Sequence, residues 1–240
     1  MRLTRFRIRL PAPAPGPGER PRRRVGPGDE FFQLRPYVPG DDLRRVDWRA
    51  TARSGHVWVR ETALRAPARF HLWLDGSASM RLYGKAAFAE RLARVLIAAS
   101  RGDRLRVLGP KGPVPPRFPP PAVEAPLLGV RPRAKGLILI TDGLEAGDWE
   151  GYLGRLPPFH LLLVLAPEEL SPPPGPARLR DVETGEEVEV DAAAAKAYKK
   201  ALKGHLDRLR RAARRGQVTL FKVGEPILPR LLETRVLEPR

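Results

Sequence analysis

The sequence contains no cysteine, no run of 18 apolar residues and, between Gly102 and Gly136, neither serine nor threonine. Without cysteine the chain forms no disulfide and no thiolate metal site, which fits a reducing compartment. Without a long apolar run we expect no transmembrane helix. Because the first residues lead into no apolar stretch, we also expect no secretory signal and a cytoplasmic protein.

Acidic residues are much fewer than basic residues. The chain has 27 Asp and Glu against 44 Lys and Arg, so its net charge is +17. This excess favours anionic partners such as nucleic acid, lipid headgroups or an acidic protein surface. Arginine supplies most of the positive charge and the chain has 28 prolines, a composition that also suits a thermostable source. The basicity alone is therefore weak evidence for nucleic-acid binding.

Residue composition and patterning divide the chain into four segments. Residues 1–28 form a basic lead-in rich in proline and arginine, in which residues 5–10 alternate like a short edge strand. This lead-in is either a solvated tail or a contact for an acidic partner. Residues 29–66 are rich in aromatics and turns, residues 67–232 form an α/β core, and residues 233–240 form a tail.

Strands and helices alternate along the core. Apolar periodicity predicts strands over 69–75, 104–108, 137–140, 159–165 and 218–223, and helices over 85–101, 148–156 and 192–215. Such alternation predicts right-handed crossovers and a doubly wound, mainly parallel sheet. Residues 177–191 predict an inserted β-hairpin. In the last long helix, Tyr198, Leu202, Leu206 and Leu209 are predicted to form the core stripe.

Hydroxyl and carboxyl groups follow two of the predicted strands. Asp75-Gly76-Ser77-Ala78-Ser79 comes after the first core strand, and Asp142 follows the strand over 137–140. In open parallel sheets ligands bind outside the carboxyl ends of the strands. Hard oxygen ligands suit Mg²⁺, Mn²⁺ or Ca²⁺, so the motif indicates a cation site. A turn that only hydrogen-bonds to Asp75, without metal, is the other interpretation, and both stay open.

The segment before the core carries dense opposite charges. Pro39-Gly40 predicts a turn, and Asp41 is predicted to cap a short helix over 43–48, ahead of a strand over 56–61. The charges predict a structural salt-bridge cluster around Trp48; a recognition surface is the alternative. The residues of that surface would be Arg35, Tyr37, Asp41, Asp47, Trp48 and Arg53. The four histidines have no metal-ligand spacing and are predicted to be structural.

The Asp-x-Ser-x-Ser motif resembles the metal-ion-dependent adhesion site of von Willebrand factor A domains. The resemblance implies a von Willebrand factor A-like, Rossmann-like core in which Asp75, Ser77 and Ser79 hold a divalent cation, with Asp142 beside it. Such a cation leaves one position open for an acidic side chain of a partner. The threonine that those domains usually add is missing from residues 102–136. The resemblance therefore implies a degenerate site whose cation is weak or partner-dependent.

The upstream segment resembles the signature of the bacterial and archaeal "domain of unknown function 58" family. The matching residues read Leu34-Arg35-x-Tyr37-x-Pro39-Gly40-Asp41-Asp42-x-Arg44-x-Val46-Asp47-Trp48. Genes of that family commonly stand beside those of MoxR-type AAA+ ATPases. The resemblance implies a non-enzymatic adaptor that works with such an ATPase in assembling or maturing a client complex. Many members carry two membrane-spanning helices ahead of the signature, and we expect a soluble short form here.

Two other functions compete with the adaptor. A metal-dependent hydrolase is one, because acids at strand ends can activate water. The sequence offers it no evident nucleophile–base pair and no histidine near the motif. Nucleic-acid binding through the lead-in and the basic face over 196–215 is the other. It is not favoured, because few aromatics accompany those basic residues and base stacking is not indicated.

Overall fold

The computed structural model describes residues 3–9, 11, 31–62, 69–100, 104–109, 111–117, 119–124, 127–129, 134–172, 176–180 and 185–239. Residues 12–30, which hold most of the predicted lead-in, lie outside the described residues. The chain divides into two compact units. The main unit comprises residues 1–14 and 68–240, and the smaller unit comprises residues 15–67.

Strands and helices follow one another along the chain. The strands are β1 (Phe6–Ile8), β2 (Phe31–Pro36), β3 (Trp58–Thr62), β4 (Arg69–Leu74), β5 (Arg104–Gly109), β6 (Gly112–Val114), β7 (Gly136–Thr141), β8 (Phe159–Leu165), β9 (Ala177–Arg180), β10 (Glu187–Val190), β11 (Gly216–Lys222) and β12 (Leu237–Pro239). The α-helices are α1 (Trp48–Ser54), α2 (Lys85–Ala99), α3 (Trp149–Arg155), α4 (Pro167–Leu170), α5 (Ala192–Ala212) and α6 (Ile227–Glu233). Among the described residues, no helix is long and apolar enough to cross a membrane.

A six-stranded sheet lies at the centre of the main unit. Its order is β11-β8-β7-β4-β5-β6, and every neighbouring pair is parallel except β5 and β6. Strands β7 and β8 are buried along their whole length, as expected for parallel strands covered on both faces. The predicted mixed α/β architecture with a mainly parallel sheet is confirmed.

Helices cover both faces of this sheet. Side chains of α2 and α6 pack in one core, and those of α3 and α5 pack in another. Strand β4 contributes side chains to both cores, because Leu72 and Leu74 point to the first and Trp73 to the second. The loops that follow β4, β7 and β8 all emerge at the carboxyl end of the sheet, which we call its carboxyl-end edge.

Two short strand pairs lie outside the central sheet. Strands β9 and β10 pair antiparallel, so the predicted hairpin is present, with residues 181–184 outside the described part. Strand β1 pairs antiparallel with β12, and the side chain of Leu237 is buried. Part of the segment predicted as a tail therefore packs on the main unit.

The smaller unit contains the antiparallel pair of β2 and β3 and the helix α1. The prediction of a helix over 43–48 capped by Asp41 is wrong. Residues Leu43–Arg45 form a single 3-10 turn, and α1 begins at Trp48. Asp47 is the N-cap of α1, since its carboxylate accepts a hydrogen bond from the amide of Ala50 at 3.0 Å. Asp41 does not act as a cap, because its carboxylate binds Arg35.

Candidate functional site

Three acidic side chains meet at the carboxyl-end edge of the sheet. Asp75 directly follows β4, Asp142 directly follows β7, and Glu169 lies in the short helix α4 after β8. Because these strands are parallel neighbours, their carboxyl ends share one edge and bring the acids together. We call Asp75, Ser77, Ser79, Thr141, Asp142, Lys85 and Glu169 the strand-end cluster.

Asp75 is buried and held on both carboxylate oxygens. Its Oδ1 accepts from the amide of Ser77 at 2.8 Å, and its Oδ2 accepts from the hydroxyl of Thr141 at 2.6 Å. Burial raises the pKa of Asp75, and these hydrogen bonds oppose that shift. The proline-rich segment returns to this point, where Val123 forms backbone hydrogen bonds on either side of Asp75. Thr141, which sequence reasoning could not assign, is thus a direct partner of Asp75.

The two serines link the loop after β4 to the loop after β7. The hydroxyls of Ser77 and Ser79 lie 3.1 Å apart, and Ser79 donates to Oδ2 of Asp142 at 2.7 Å. The other oxygen of Asp142 accepts from the amide of Leu144 at 3.1 Å. The structure therefore places the four predicted site residues in one hydrogen-bonded group; their predicted role as metal ligands stays a prediction.

A fully buried lysine stands in the middle of the cluster. Lys85 is 0% exposed, and its Nζ lies 2.9 Å from Oδ2 of Asp142. The same ammonium group forms an ion pair with Glu169. Burial lowers the pKa of Lys85, but Asp142 and Glu169 outweigh it, so the pKa is raised overall and the amine is an ammonium. Lys85 therefore joins the loops after β7 and β8 to the start of α2.

Local backbone geometry sets the positions of Lys85 and Glu169. Gly84, at a φ of 74°, is the N-cap residue of α2 and turns the chain so that the helix begins at Lys85. Glu169 is braced from the other side, since its Oε2 accepts from the amide of Ala166 at 2.8 Å. Each end of the ion pair is therefore held by the backbone of its own loop.

Sequence reasoning missed both Lys85 and Glu169. A signal for Lys85 existed, because it lies on the helical stripe that continues with Phe88, Leu92 and Leu96, all buried. A charged residue on an apolar stripe needs a partner when the stripe is buried. Glu169 lies four residues after the fully buried strand β8, at the same end of the sheet as Asp142. Neither signal identifies the partner, because the residues are far apart in the chain.

Exposed apolar side chains lie near the cluster, along the chain or in space. They are Leu82, Tyr83, Leu144 and Tyr198. The prediction that Tyr198 belongs to the core stripe of α5 is wrong, because Tyr198 is 39% exposed and burial in α5 begins at Leu202. Burial raises the pKa of Tyr198, as do the negative charges of Glu169 and Asp142. The phenol group of Tyr198 therefore lies close to the acids of the cluster.

Two cavities open beside the cluster. One, of about 500 Å³, is lined by Leu144, Trp149, Tyr198 and His205 among others. His205 is a structural residue there, since its Nε2 lies 2.7 Å from the carbonyl oxygen of Gly143. The second, of about 490 Å³, is lined on one side by Asp75 and Ser77. The same sheet edge thus combines concave surface, apolar side chains and a polar centre.

The donor atoms of the cluster do not fit a permanently bound divalent cation. In the described part of the chain, no three His, Asp or Glu side chains are placed to hold a metal ion. All four carboxylate oxygens of Asp75 and Asp142 already accept hydrogen bonds from protein donors. A divalent ion roughly 4 Å from the ammonium of Lys85 would be repelled by about 8 kcal/mol at an effective dielectric constant of ~20.

Arg35 is the centre of a second cluster, in the smaller unit. Its guanidinium binds Asp41 in a bidentate pair at 2.6 and 2.5 Å and binds Glu61 at 2.8 Å. Arg35 lowers the pKa of Asp41 to about 2. Asp47, besides capping α1, lies 3.2 Å from Arg60.

Among the described residues of the smaller unit, the salt bridges do not surround Trp48, which is 66% exposed. The predicted structural cluster is therefore present, but its centre is Arg35. Tyr37 is half-buried and its amide donates to the carbonyl of Val57, whereas Arg53 is exposed. The predicted partner-binding role of these residues stays a prediction.

Comparison with known proteins places the chain in a family. The family described as "Protein of unknown function DUF58" matches residues 33–121, which include the Arg35 cluster and the Asp75 loop. The uncharacterized proteins Mb1516 of Mycobacterium bovis and Rv1480 of Mycobacterium tuberculosis are each 30% identical to the chain over 221 residues. The match covers 75% of this chain and 69% of each relative. No solved structure matches the chain significantly. By these matches the chain belongs to the DUF58 family.

Proposed function

We propose that the chain is a non-enzymatic protein-interaction module that acts as an adaptor for a MoxR-type AAA+ ATPase. In this role it assists the assembly or maturation of a client complex. The observation that carries the proposal is the composition of the strand-end face. There a hydrogen-bonded acid–hydroxyl centre is accompanied by the exposed side chains of Leu82, Tyr83, Leu144 and Tyr198.

Exposed apolar side chains concentrate at two places in the described residues. Four of the eight large ones lie near the strand-end cluster. The other four, Val38, Leu43, Trp48 and Val57, all belong to the smaller unit. Contiguous exposed apolar groups mark interaction sites, and tyrosine and tryptophan are enriched in the centres of protein interfaces. Both places coincide with segments that the sequence motifs indicate as partner-binding.

The sheet order also supports a von Willebrand factor A-like fold for the main unit. The Asp-x-Ser-x-Ser motif follows β4, which lies inside the sheet between β5 and β7. The second acid, Asp142, follows the adjacent strand and reaches the motif through Ser79. In that fold this sheet edge is the partner-binding face, so the proposed fold and the proposed function agree.

Hydrolysis receives less support from the same geometry. A serine nucleophile needs a base that can take its proton. Ser79 donates to Asp142, but that carboxylate also binds the ammonium of Lys85, which makes it a poor base. His205 is held by the carbonyl of Gly143. We therefore propose no catalytic residue.

The proposal is tested by binding to a purified MoxR-type ATPase in its ATP-bound and nucleotide-free states. Leu144→Ala and Tyr198→Ala each remove an exposed apolar group from the face. We expect each to weaken binding roughly tenfold, equivalent to ~1.4 kcal/mol. Arg211→Ala, on an exposed residue near the other end of α5, is the matched control and should leave affinity unchanged. Wild-type affinity in both face variants would refute the assigned surface.

A further inference from the structure

Lys85 occupies a position that is unfavourable for a lysine in three respects. Its side chain is fully buried, and the other buried residues of α2 are all apolar. It is also the first residue of that helix, where the helix dipole disfavours positive charge. Burying an ammonium is costly unless carboxylates pair with it. Asp142 and Glu169 provide that pairing from two adjacent strand ends.

The ammonium of Lys85 performs the tasks that a bound cation would perform at this edge. It supplies one positive charge to Asp142 and Glu169, and it ties the loops after β7 and β8 to the helix that follows the Asp75 loop. Ser79 completes the arrangement, because its hydroxyl and the ammonium share Oδ2 of Asp142. Protein atoms alone therefore order the acid–hydroxyl group and provide its counter-charge.

We propose that Lys85 is the built-in cation of the strand-end cluster, and that the cluster keeps its geometry without a divalent metal ion. This inference goes beyond the adaptor function and does not depend on any partner. The alternative is that the ion pair of Lys85 is purely structural and stands beside a metal site. In that case Ser77, Ser79 and Asp75 would still bind a metal in the presence of Lys85.

Metal titration of the full chain separates the two cases. The probe is Mn²⁺, followed by calorimetry and by its paramagnetic resonance signal, at neutral pH and without partner protein. We expect no saturable binding by wild type at millimolar Mn²⁺. Lys85→Met removes the competing charge and leaves Asp142 and Glu169 free to act as ligands. We expect this variant to saturate at a Mn²⁺ concentration at least roughly tenfold below the millimolar range at which wild type does not saturate.

Three controls make the titration decisive. Lys85→Arg keeps the charge and should bind no Mn²⁺, and Lys196→Met changes an exposed lysine and should behave as wild type. If Lys85→Met fails to fold, refolding is repeated with Mn²⁺ present, and recovery of the folded protein supports the inference. Failure to refold under both conditions overturns it.

Two further results would overturn the inference directly. One is saturable binding of Mn²⁺ by wild type that disappears in Ser79→Ala. The other is a folded Lys85→Met variant that binds no more Mn²⁺ than wild type. Both results leave the proposed adaptor function untouched, because that function is measured by partner binding to Leu144 and Tyr198 variants.

Discussion

Replacing Lys85 by methionine should destabilise the main unit strongly. Methionine fills much of the space of the lysine stem but leaves Asp142 and Glu169 buried without their counter-charge. Removing one partner of a buried ion pair costs about 3–5 kcal/mol. Domains have about 5–15 kcal/mol of stability in total, so this is a large share. At ~2–4 °C per kcal/mol for a chain of this size, the midpoint of thermal unfolding should fall by about 6–20 °C.

The assay is thermal and guanidinium unfolding followed by circular dichroism, with chelator present throughout. Lys196→Met is the matched control, because the same change at an exposed lysine should shift stability by no more than ~0.5 kcal/mol. The triple variant Lys85→Met, Asp142→Asn, Glu169→Gln removes the uncompensated charges and should recover part of the loss. A single variant within about 1 kcal/mol of wild type, or a triple variant less stable than the single one, would refute the reasoning.

The pH dependence of folding stability gives an independent check on the ion pairs of Lys85. The pKa of Lys85 is raised in the folded chain, although burial alone would lower it, because Asp142 and Glu169 favour the ammonium. A raised lysine pKa stabilises the folded state fully below the unfolded-state value of about 10.4, and this stabilisation is lost as pH rises through the folded-state value. The stability difference between wild type and Lys85→Met should therefore be constant from neutral to mildly alkaline pH and shrink at higher pH.

Two further predictions concern other buried groups. Thr141→Val leaves Oδ2 of Asp75 without its donor and should cost about 1–3 kcal/mol in urea unfolding. The same change at Thr219, a buried threonine whose hydroxyl has no hydrogen-bond partner among the described residues, should be neutral or stabilising, and equal losses at both sites would contradict the argument. Burial lowers the pKa of His160 to about 4, so stability should be full above pH ~6.5 and fall as pH drops towards 4. His160→Gln should flatten that profile and His56→Gln, at an exposed site, should not; an unchanged slope in His160→Gln would count against this assignment.

Local patterns were sufficient for the longer strands and helices of the main unit. The strand predicted over 159–165 coincides with β8, and the helix predicted over 85–101 corresponds to α2. Fully apolar runs and 3.6-residue periodicity record burial on one or both faces, so they can be detected from neighbouring residues alone. The smaller unit was harder to predict. Asp41, Asp42 and Asp47 are all good caps, and the choice among them depends on where Arg35 lies.

The strand-end cluster, too, could be predicted only in part from the sequence. The order of residues is enough to show that Asp75 and Asp142 follow apolar strands, and parallel pairing places such residues at one end of the sheet. The position of Lys85 between Asp142 and Glu169, which are 57 and 84 residues away along the chain, is visible only in the folded chain. Electrostatic pairing of this kind depends on which strands become neighbours, and strand order leaves no periodic trace in the sequence. The motif thus indicated a cation, and the fold placed the ammonium of Lys85 in that role.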